Sequence, residues 1–193
     1  MDLSTDYLGL KLKNPIIASS SPLTWELKDV LALQDSGASA IIMPSMFEEQ
    51  IEHEQAQMDH FIHQQSIGNA EAESYHPMIG DYEEYLEKYT RRLQLLKTEL
   101  DIPLIASLNG TTDGGWIEYA HELQQVGADA LELNVYYIAA NPEESSATVE
   151  QRYIDLLSAI RQQVTIPVCM KLSHQFSSIT PLIKQLEQNG AAG

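Results

Sequence analysis

The chain has 193 residues, of which 44% are hydrophobic, and its 28 acidic and 11 basic side chains give a formal net charge of −17. This length can bury the core of one ordinary domain, so a single domain over residues 1–193 is predicted. The acidic balance argues against nucleic acid and anionic membranes as partners, because both are bound through basic patches. The simplest interpretation of the charge is a solvated acidic surface that favours solubility.

Hydropathy and cysteine content predict a cytoplasmic protein. No apolar run is long enough to span a membrane, and the N-terminus lacks the basic and apolar regions of a signal peptide. The single cysteine, Cys169, cannot form an intramolecular disulfide, which suits a reducing compartment.

The first part of the chain contains two strand patterns separated by one helix. A small hairpin is predicted over residues 7–13, and residues 16–18 are predicted to form the first buried strand. Thr24 is a suitable N-cap for a helix that runs to about Gln34. Residues 40–43 are predicted to form the second strand, which Pro44 should end because proline cannot donate to a strand ladder.

Helix and strand patterns then alternate to the end of the chain. Residues 81–97 are predicted to form an amphipathic helix capped by Asp81, because tyrosine and leucine recur on one broad face. Further strands are predicted over residues 101–110, 130–134 and 165–172, and further helices over residues 116–126, 148–164 and 179–189.

Two short patterns recur where helices lead into strands. Gly-Ala begins at positions 37, 127 and 190, and Ile-Pro begins at positions 102 and 166. Repeated strand–helix alternation implies a parallel sheet, which could be an open doubly wound sheet or a (β/α)8 barrel. No glycine-rich phosphate loop follows a strand, so nothing supports a classical nucleotide-binding fold.

The strand over residues 130–134 fits an antiparallel strand with its polar face in water, but also a strand of a parallel barrel, and the strand–helix alternation of the rest of the chain favours the barrel. Ala130, Glu132 and Asn134 share one face, and a polar face near the carboxyl end of a barrel strand points into the mouth of the barrel. We therefore predict an α/β (β/α)8 TIM barrel, truncated after about five β/α units. Residues 190–193 resemble the lead-in to a sixth strand, so a fragment or a truncated gene product is expected.

Residues 45–80 form a long excursion between the second strand and the second helix. The segment holds many glutamates and histidines, and only its first part, around residues 47–60, has a helical pattern. A connection of this length predicts a functional excursion or a flexible lid. His60 and His63 could bind a metal with nearby glutamates, but the spacing is a weak signal and no metal is predicted.

Polar residues occupy the carboxyl ends of three predicted strands. Asn109, Asn134 and Lys171 should meet at the barrel mouth, where the active sites of barrel enzymes lie. Two amides and an ammonium suit an electron-rich planar ligand whose carbonyls need donors, and Lys171 would stabilise negative charge formed on reduction. In the alternative interpretation the amides cap the following loops, and Lys171 pairs with Glu132.

Four segments resemble the dihydroorotate dehydrogenase family. They are Asn-Pro-Ile-Ile-Ala-Ser at 14–19, Ile-Ala-Ser-Leu-Asn-Gly at 105–110, Leu-Glu-Leu-Asn at 131–134 and Ile-Pro-Val-Cys-Met-Lys-Leu at 166–172. The resemblance implies an FMN-binding barrel that oxidises a CH–CH bond by hydride transfer to the flavin. It implies that Ala18 and Ser19 touch the flavin, that Asn109 and Asn134 lie near its ring, and that Lys171 meets its N1/O2 edge.

The sequence departs from the family pattern on the substrate side. Residues 43–45 lack the lysine that the family carries after its second strand, and Ala139 replaces an amide that would hold the pyrimidine. Tyr137 stands where the family has a cysteine or serine base, and His174 is a further candidate for the base, as are Tyr136 and His76. These departures speak against dihydroorotate as the substrate.

Two other functions remain open on sequence grounds. Lys171 could form a Schiff base, as in an aldolase-type barrel. Alternatively, the chain could be a non-catalytic flavin-binding or interaction subunit of a redox system, with residues 45–80 as the docking surface. The expected partners are a small-molecule substrate and either a second copy of the chain or a redox-partner subunit.

Overall fold

Five parallel strands form the main sheet of the computed structural model, which describes residues 1–54, 56–57, 84–110 and 113–193. The strands of this sheet are β3 (Ile17–Ala18), β4 (Ala40–Phe47), β5 (Leu104–Asn109), β6 (Ala130–Val135) and β7 (Val168–Leu172). A separate antiparallel hairpin, β1 (Thr5–Tyr7) and β2 (Leu10–Leu12), precedes them as predicted. The helices are α1 (Leu27–Asp35), α2 (Tyr85–Glu99), α3 (Asp113–Gln125), α4 (Ser146–Gln163) and α5 (Ile179–Gln188).

The order of the strands distinguishes a barrel from an open doubly wound sheet. Neighbours in the sheet follow the chain order β3-β4-β5-β6-β7, and every pair is parallel. A doubly wound sheet reverses its strand order at a switch point, whereas a barrel adds each new strand on the same side. The chain therefore forms five β/α units of a (β/α)8 barrel, and the predicted fold class is confirmed.

The two faces of the sheet bury different sets of residues. The outer face packs against the helices through residues such as Ile41, Leu104 and Leu131, all of them inaccessible to solvent. The inner face carries a smaller apolar cluster at its lower end, where Leu8 and Leu12 of the hairpin cover it; the strand residues of this cluster are Ala40, Ile42, Ile105 and Ala130. The hairpin thus closes the bottom of the barrel and leaves the carboxyl ends of the strands open.

Pro44 does not end the second strand, so that prediction was wrong. Strand β4 continues to Phe47, and its register with β5 shifts between Ile42 and Ser45. Ile42 pairs with Ile105 and Ser45 pairs with Ser107. Between these two pairs β4 advances by three residues and β5 by two, so β4 carries one extra residue. Such a bulge accommodates a proline, because the extra residue is left out of the ladder. It also turns Ser45 onto the inner face of the sheet.

Other predicted boundaries shift for local reasons. Thr24 does not cap α1, because its hydroxyl bonds with Ser21 in a separate 3-10 turn, and α1 begins at Leu27. Residues 45–47 belong to β4, and residues 48–54 are helical as predicted. The predicted cap Asp81, and the candidate residues His60, His63 and His76, lie outside the described residues. No helix in the described ranges combines the length and hydrophobicity needed to cross a membrane.

The recurring Gly-Ala pattern has one structural cause. Gly37, Gly127 and Gly190 end three helices with φ of +107°, +105° and +97°. After α3, Gly127 donates its N–H to Gln124 and Ala128 donates to Leu123, which are the two hydrogen bonds of a Schellman motif. Glycine is favoured at this position because a side chain is strained at positive φ.

The last residues of the chain pair with β7. The Ala192 N–H donates to the Val168 carbonyl at 2.8 Å, and the Met170 N–H donates to the Gly193 carbonyl at 3.0 Å. A Cβ on Gly193 would come within 2.5 Å of Leu8 in the hairpin. The segment therefore continues the sheet beside β7, in the position predicted for the start of a sixth strand.

Replacing Gly127 with alanine should lower the free energy of unfolding by about 1–2 kcal/mol, because alanine is strained at positive φ. Gly114 in α3 is the matched control, because a Cβ there meets open space. Its replacement by alanine should raise the free energy of unfolding by about 0.5 kcal/mol through helix propensity. Urea unfolding followed by circular dichroism measures both changes, and equal effects would contradict the helix-end assignment.

Candidate functional site

Strand pairing places the polar residues of the inner face in two rows near the carboxyl ends of the strands. The lower row consists of Ser45, Ser107, Glu132 and Cys169, which are consecutive cross-strand partners from β4 to β7. The upper row consists of Phe47 paired with Asn109, and Asn134 paired with Lys171. Asn109, Asn134 and Lys171 thus lie near the carboxyl ends of consecutive strands, at the open end of the barrel.

Asn134 is held by two serine hydroxyls below it. Its Nδ2 atom donates to Ser45 Oγ at 3.0 Å and to Ser107 Oγ at 2.8 Å, and its side chain is almost fully buried. A primary amide has two N–H groups, so both are used within the protein. The expectation that both amides act as donors toward a ligand is wrong for Asn134. Its Oδ1 atom accepts no hydrogen bond from any described residue.

Glu132 is a buried carboxylate between the two rows. It is 7% exposed, and its Oε1 atom accepts from Ser107 Oγ at 3.3 Å and from Lys171 Nζ at 3.4 Å. The pairing of Lys171 with Glu132 in the alternative interpretation is thus confirmed. The Lys171 side chain is still 47% exposed, so its ammonium also reaches the open end of the barrel. A ligand and Glu132 can therefore share the same ammonium.

Tyr89 supports the bulge from the helix side. Its hydroxyl donates to the carbonyl of Pro44 at 2.8 Å, and its ring is inaccessible to solvent. This hydrogen bond satisfies a carbonyl close to the irregular part of the β4 ladder. Burial raises the pKa of Tyr89 well above its usual value, so the hydroxyl remains a donor. The helical pattern of residues 81–97 predicts only packing for this tyrosine, and its contact with the bulge depends on the fold.

Cys169 lies at the lower end of the same face, beside the hairpin. Its Sγ atom is 3.8 Å from the Tyr7 hydroxyl. Burial raises the pKa of Cys169, and it also raises the pKa of Tyr7. A thiol with a raised pKa is a poor nucleophile, which favours a packing role for Cys169.

A second buried carboxylate lies where the chain leaves β4. Glu48 is 2% exposed and lies against Gly115 near the start of α3, where a Cβ would overlap its carboxylate. The absence of a side chain at Gly115 is therefore required for this approach. Sequence analysis did not single out Glu48, because nothing in its local pattern separates it from the exposed glutamates that follow.

The residues predicted to touch a flavin through the first loop lie at the same end of the sheet. Ala18 is the last residue of β3 and is half-buried, and Ser19 follows it and is exposed. Asn109 ends β5 and is half-buried. Their roles stay predictions, but each lies at the carboxyl end of its strand.

Comparisons with known proteins identify related chains. No protein-family model matches the chain. Over 98% of its length it is 24% identical to the catalytic subunit of dihydroorotate dehydrogenase B (NAD(+)) from Thermoplasma acidophilum, and it covers 60% of that protein. It is 25% identical over its full length to the NAD-dependent dihydropyrimidine dehydrogenase subunit PreA from Escherichia coli K12, of which it covers 47%.

The chain is a divergent relative of the dihydroorotate dehydrogenases. It spans about half to three-fifths of the length of these relatives. Among solved structures, an IMP dehydrogenase/GMP reductase-like protein from Corynebacterium glutamicum matches 98% of the chain, and 47% of that protein, with a TM-score of 0.56 and 13% identity. This structural likeness confirms the barrel fold.

In this dihydroorotate dehydrogenase-like chain, Tyr137 is held in a cluster with Glu144 and Arg152. Its hydroxyl donates to Glu144 Oε2 at 2.6 Å, and its ring lies 4.6 Å below the guanidinium of Arg152. Arg152 also pairs with Glu144. Donation to Glu144 raises the pKa of Tyr137, which disfavours a role as a base. His174 follows β7 and is exposed. The roles of Tyr137 and His174 as the catalytic base stay predictions.

We expect Ser107→Ala to lower the free energy of unfolding of this dihydroorotate dehydrogenase-like chain by about 1–3 kcal/mol, because it removes a hydrogen-bond partner from buried Asn134 and Glu132. Ser36→Ala is the control, since that serine is exposed at the end of α1. Its effect should stay within about 0.5 kcal/mol. Urea titrations compare the two variants, and a neutral Ser107→Ala would show that the network does not contribute to stability.

Proposed function

We propose that the chain carries the flavin-contacting part of an FMN-dependent oxidoreductase that acts on a CH–CH bond. The observation that supports this most directly is the upper row. Asn134 and Lys171 lie side by side on β6 and β7 and present an acceptor and a cation at the open end of the barrel. Both belong to segments that resemble the dihydroorotate dehydrogenases, and the relatives are named as dehydrogenases.

The chemistry of the upper row fits the polar edge of a flavin. The Asn134 oxygen is buried at the rim without a donor among the described residues, and the Lys171 ammonium is half-exposed beside it. An isoalloxazine ring offers N–H and carbonyl groups that complement this pair. When bound, FMN would supply the hydride acceptor. Lys171 would hold the negative charge of the reduced ring, and Ala18, Ser19 and Asn109 would line the ring at the neighbouring strands.

The substrate should be a small ring with a saturated CH–CH bond that carries no carboxylate. A carboxylate needs a cation of its own, and Lys171 is the one lysine or arginine in the two rows described above. The relatives named for dihydropyrimidine oxidation agree with this class. The acidic surface and the subunit names of the relatives further suggest a cytoplasmic redox assembly, either a homodimer or a complex with a redox-partner subunit.

The Schiff-base alternative has less support. A Schiff-base lysine needs a desolvated, uncharged amine. Lys171 is half-exposed and paired with Glu132, so its amine is not desolvated. The non-catalytic alternative is favoured by one observation, the engagement of Tyr137 with Glu144, because it leaves no base at the position where the family carries one.

FMN titration of the purified chain tests the proposal. We expect a flavin absorption band to co-migrate with the protein, and Lys171→Met to weaken FMN binding about tenfold and to lower the reduction potential of the bound flavin, because it removes a positive charge. Lys184→Met on the exposed side of α5 is the control and should change neither value. Failure of FMN to bind, or equal effects of the two variants, would contradict the assignment.

Anaerobic mixing of the FMN-loaded protein with candidate substrates tests the substrate class. Dihydrouracil should bleach the flavin band at least about tenfold faster than dihydroorotate, because the two described rows hold no second lysine or arginine for the carboxylate of dihydroorotate. The reverse order would overturn the substrate class but not the binding of FMN. A loaded protein that neither compound reduces would favour the non-catalytic subunit.

A further inference from the structure

The polar groups of the two rows form one directed chain of hydrogen bonds. Asn134 donates to both serine hydroxyls, and the two hydroxyls are 2.9 Å apart. Ser107 is also within 3.3 Å of Glu132. Each hydroxyl has a single proton, so the direction of each bond limits the direction of the next.

Glu132 decides that direction. An ionised carboxylate can only accept, so the Ser107 hydroxyl donates to Glu132 and accepts from its other neighbours. Ser45 then donates to Ser107, and both serine oxygens are left as acceptors for the Asn134 N–H groups. With this direction each hydroxyl proton between Asn134 and Glu132 is donated once, and Ser107 Oγ accepts two hydrogen bonds, from Ser45 and from Asn134. The reverse orientation of the amide would place its oxygen 2.8 Å from Ser107 Oγ, whose proton points to Glu132.

We propose that Glu132 is a positioning residue that decides which groups of the upper row face a ligand as hydrogen-bond acceptors and which as donors. Through Ser107 and Ser45 it fixes the Asn134 amide with its oxygen outward, and through the direct ion pair it places the Lys171 ammonium beside that oxygen. Ser45 takes part only because the bulge at Pro44 turns it inward. The upper row therefore favours a ligand with an N–H group for the Asn134 oxygen and, next to it, a carbonyl or anionic oxygen for the Lys171 ammonium.

This inference rests on the proposed function for the identity of the ligand, but the orientation of Asn134 can be measured without one. The side-chain amide signals of Asn134 in a 15N-labelled sample of the full chain report its hydrogen bonds, and they are assigned from their absence in Asn134→Asp. In the unsubstituted chain both amide protons should exchange slowly with water. Glu132→Gln keeps the shape of the side chain but can donate to Ser107, and so it should speed exchange at least about tenfold.

Matched variants separate positioning from general loss of structure. Glu87→Gln, which removes an exposed carboxylate paired with Arg91, should leave Asn134 exchange unchanged. Ser45→Ala should speed exchange in the same way as Glu132→Gln, and Ser45→Thr, which keeps the hydroxyl, should restore protection. If Glu132→Gln fails to fold, the two Ser45 variants decide the question. Equal exchange in Ser45→Ala and the unsubstituted chain would overturn the proposal.

Riboflavin binding supplies the second readout, because riboflavin has the flavin ring without the phosphate. Glu132→Gln should weaken its binding about tenfold, and Glu87→Gln should not. Weakened binding in both variants would contradict a local effect of Glu132. If riboflavin and FMN fail to bind the unsubstituted chain, the proposed function fails, and the exchange data still decide whether Glu132 orients Asn134.

Discussion

The parallel pairing of β4, β5, β6 and β7 is the constraint on which the candidate site depends. Parallel pairing brings the carboxyl ends of these strands together, and the alternation of side chains then decides which residues face inward. One irregularity completes the arrangement. The bulge at Pro44 adds a step to β4, so that Ser45 faces inward with Ser107 instead of packing against the helices. Without it the Asn134 amide would lack one of its two serine acceptors.

The buried polar groups are better explained by function than by stability. Glu132, Asn134 and Ser107 are all nearly inaccessible, although small apolar residues fill the level below them. Replacing a buried polar network by apolar residues of similar volume is often neutral or stabilising. The network instead gives the open end of the barrel a fixed pattern of one acceptor and one cation. Preorganised groups of this kind bind a planar polar ligand without reorganising when it arrives.

Much of the fold was predictable because it follows from local chemistry. The Gly-Ala pattern marks helix ends where positive φ requires glycine, and the polar alternation of residues 130–134 indicates a barrel mouth.

Pro44 was misread because a proline ends a regular strand but is accepted at a bulge, and a bulge depends on the partner strand. The orientation of Asn134 was also beyond the sequence, since it is set by hydroxyls on two other strands. Tyr137 stood at the family's base position, but its partners Glu144 and Arg152 come from a later part of the chain.

The central claim is that the carboxyl ends of β3 to β7 bind a flavin ring. Backbone amide shifts of the 15N-labelled chain during titration with FMN test it most directly, because they locate the ligand. The account predicts that shifts concentrate at residues 18–19, 109–110, 134–135 and 171–172 and leave Leu8 and Leu12, at the closed end, unchanged. Shifts confined to the outer faces of α4 and α5, or no shifts at all, would contradict it.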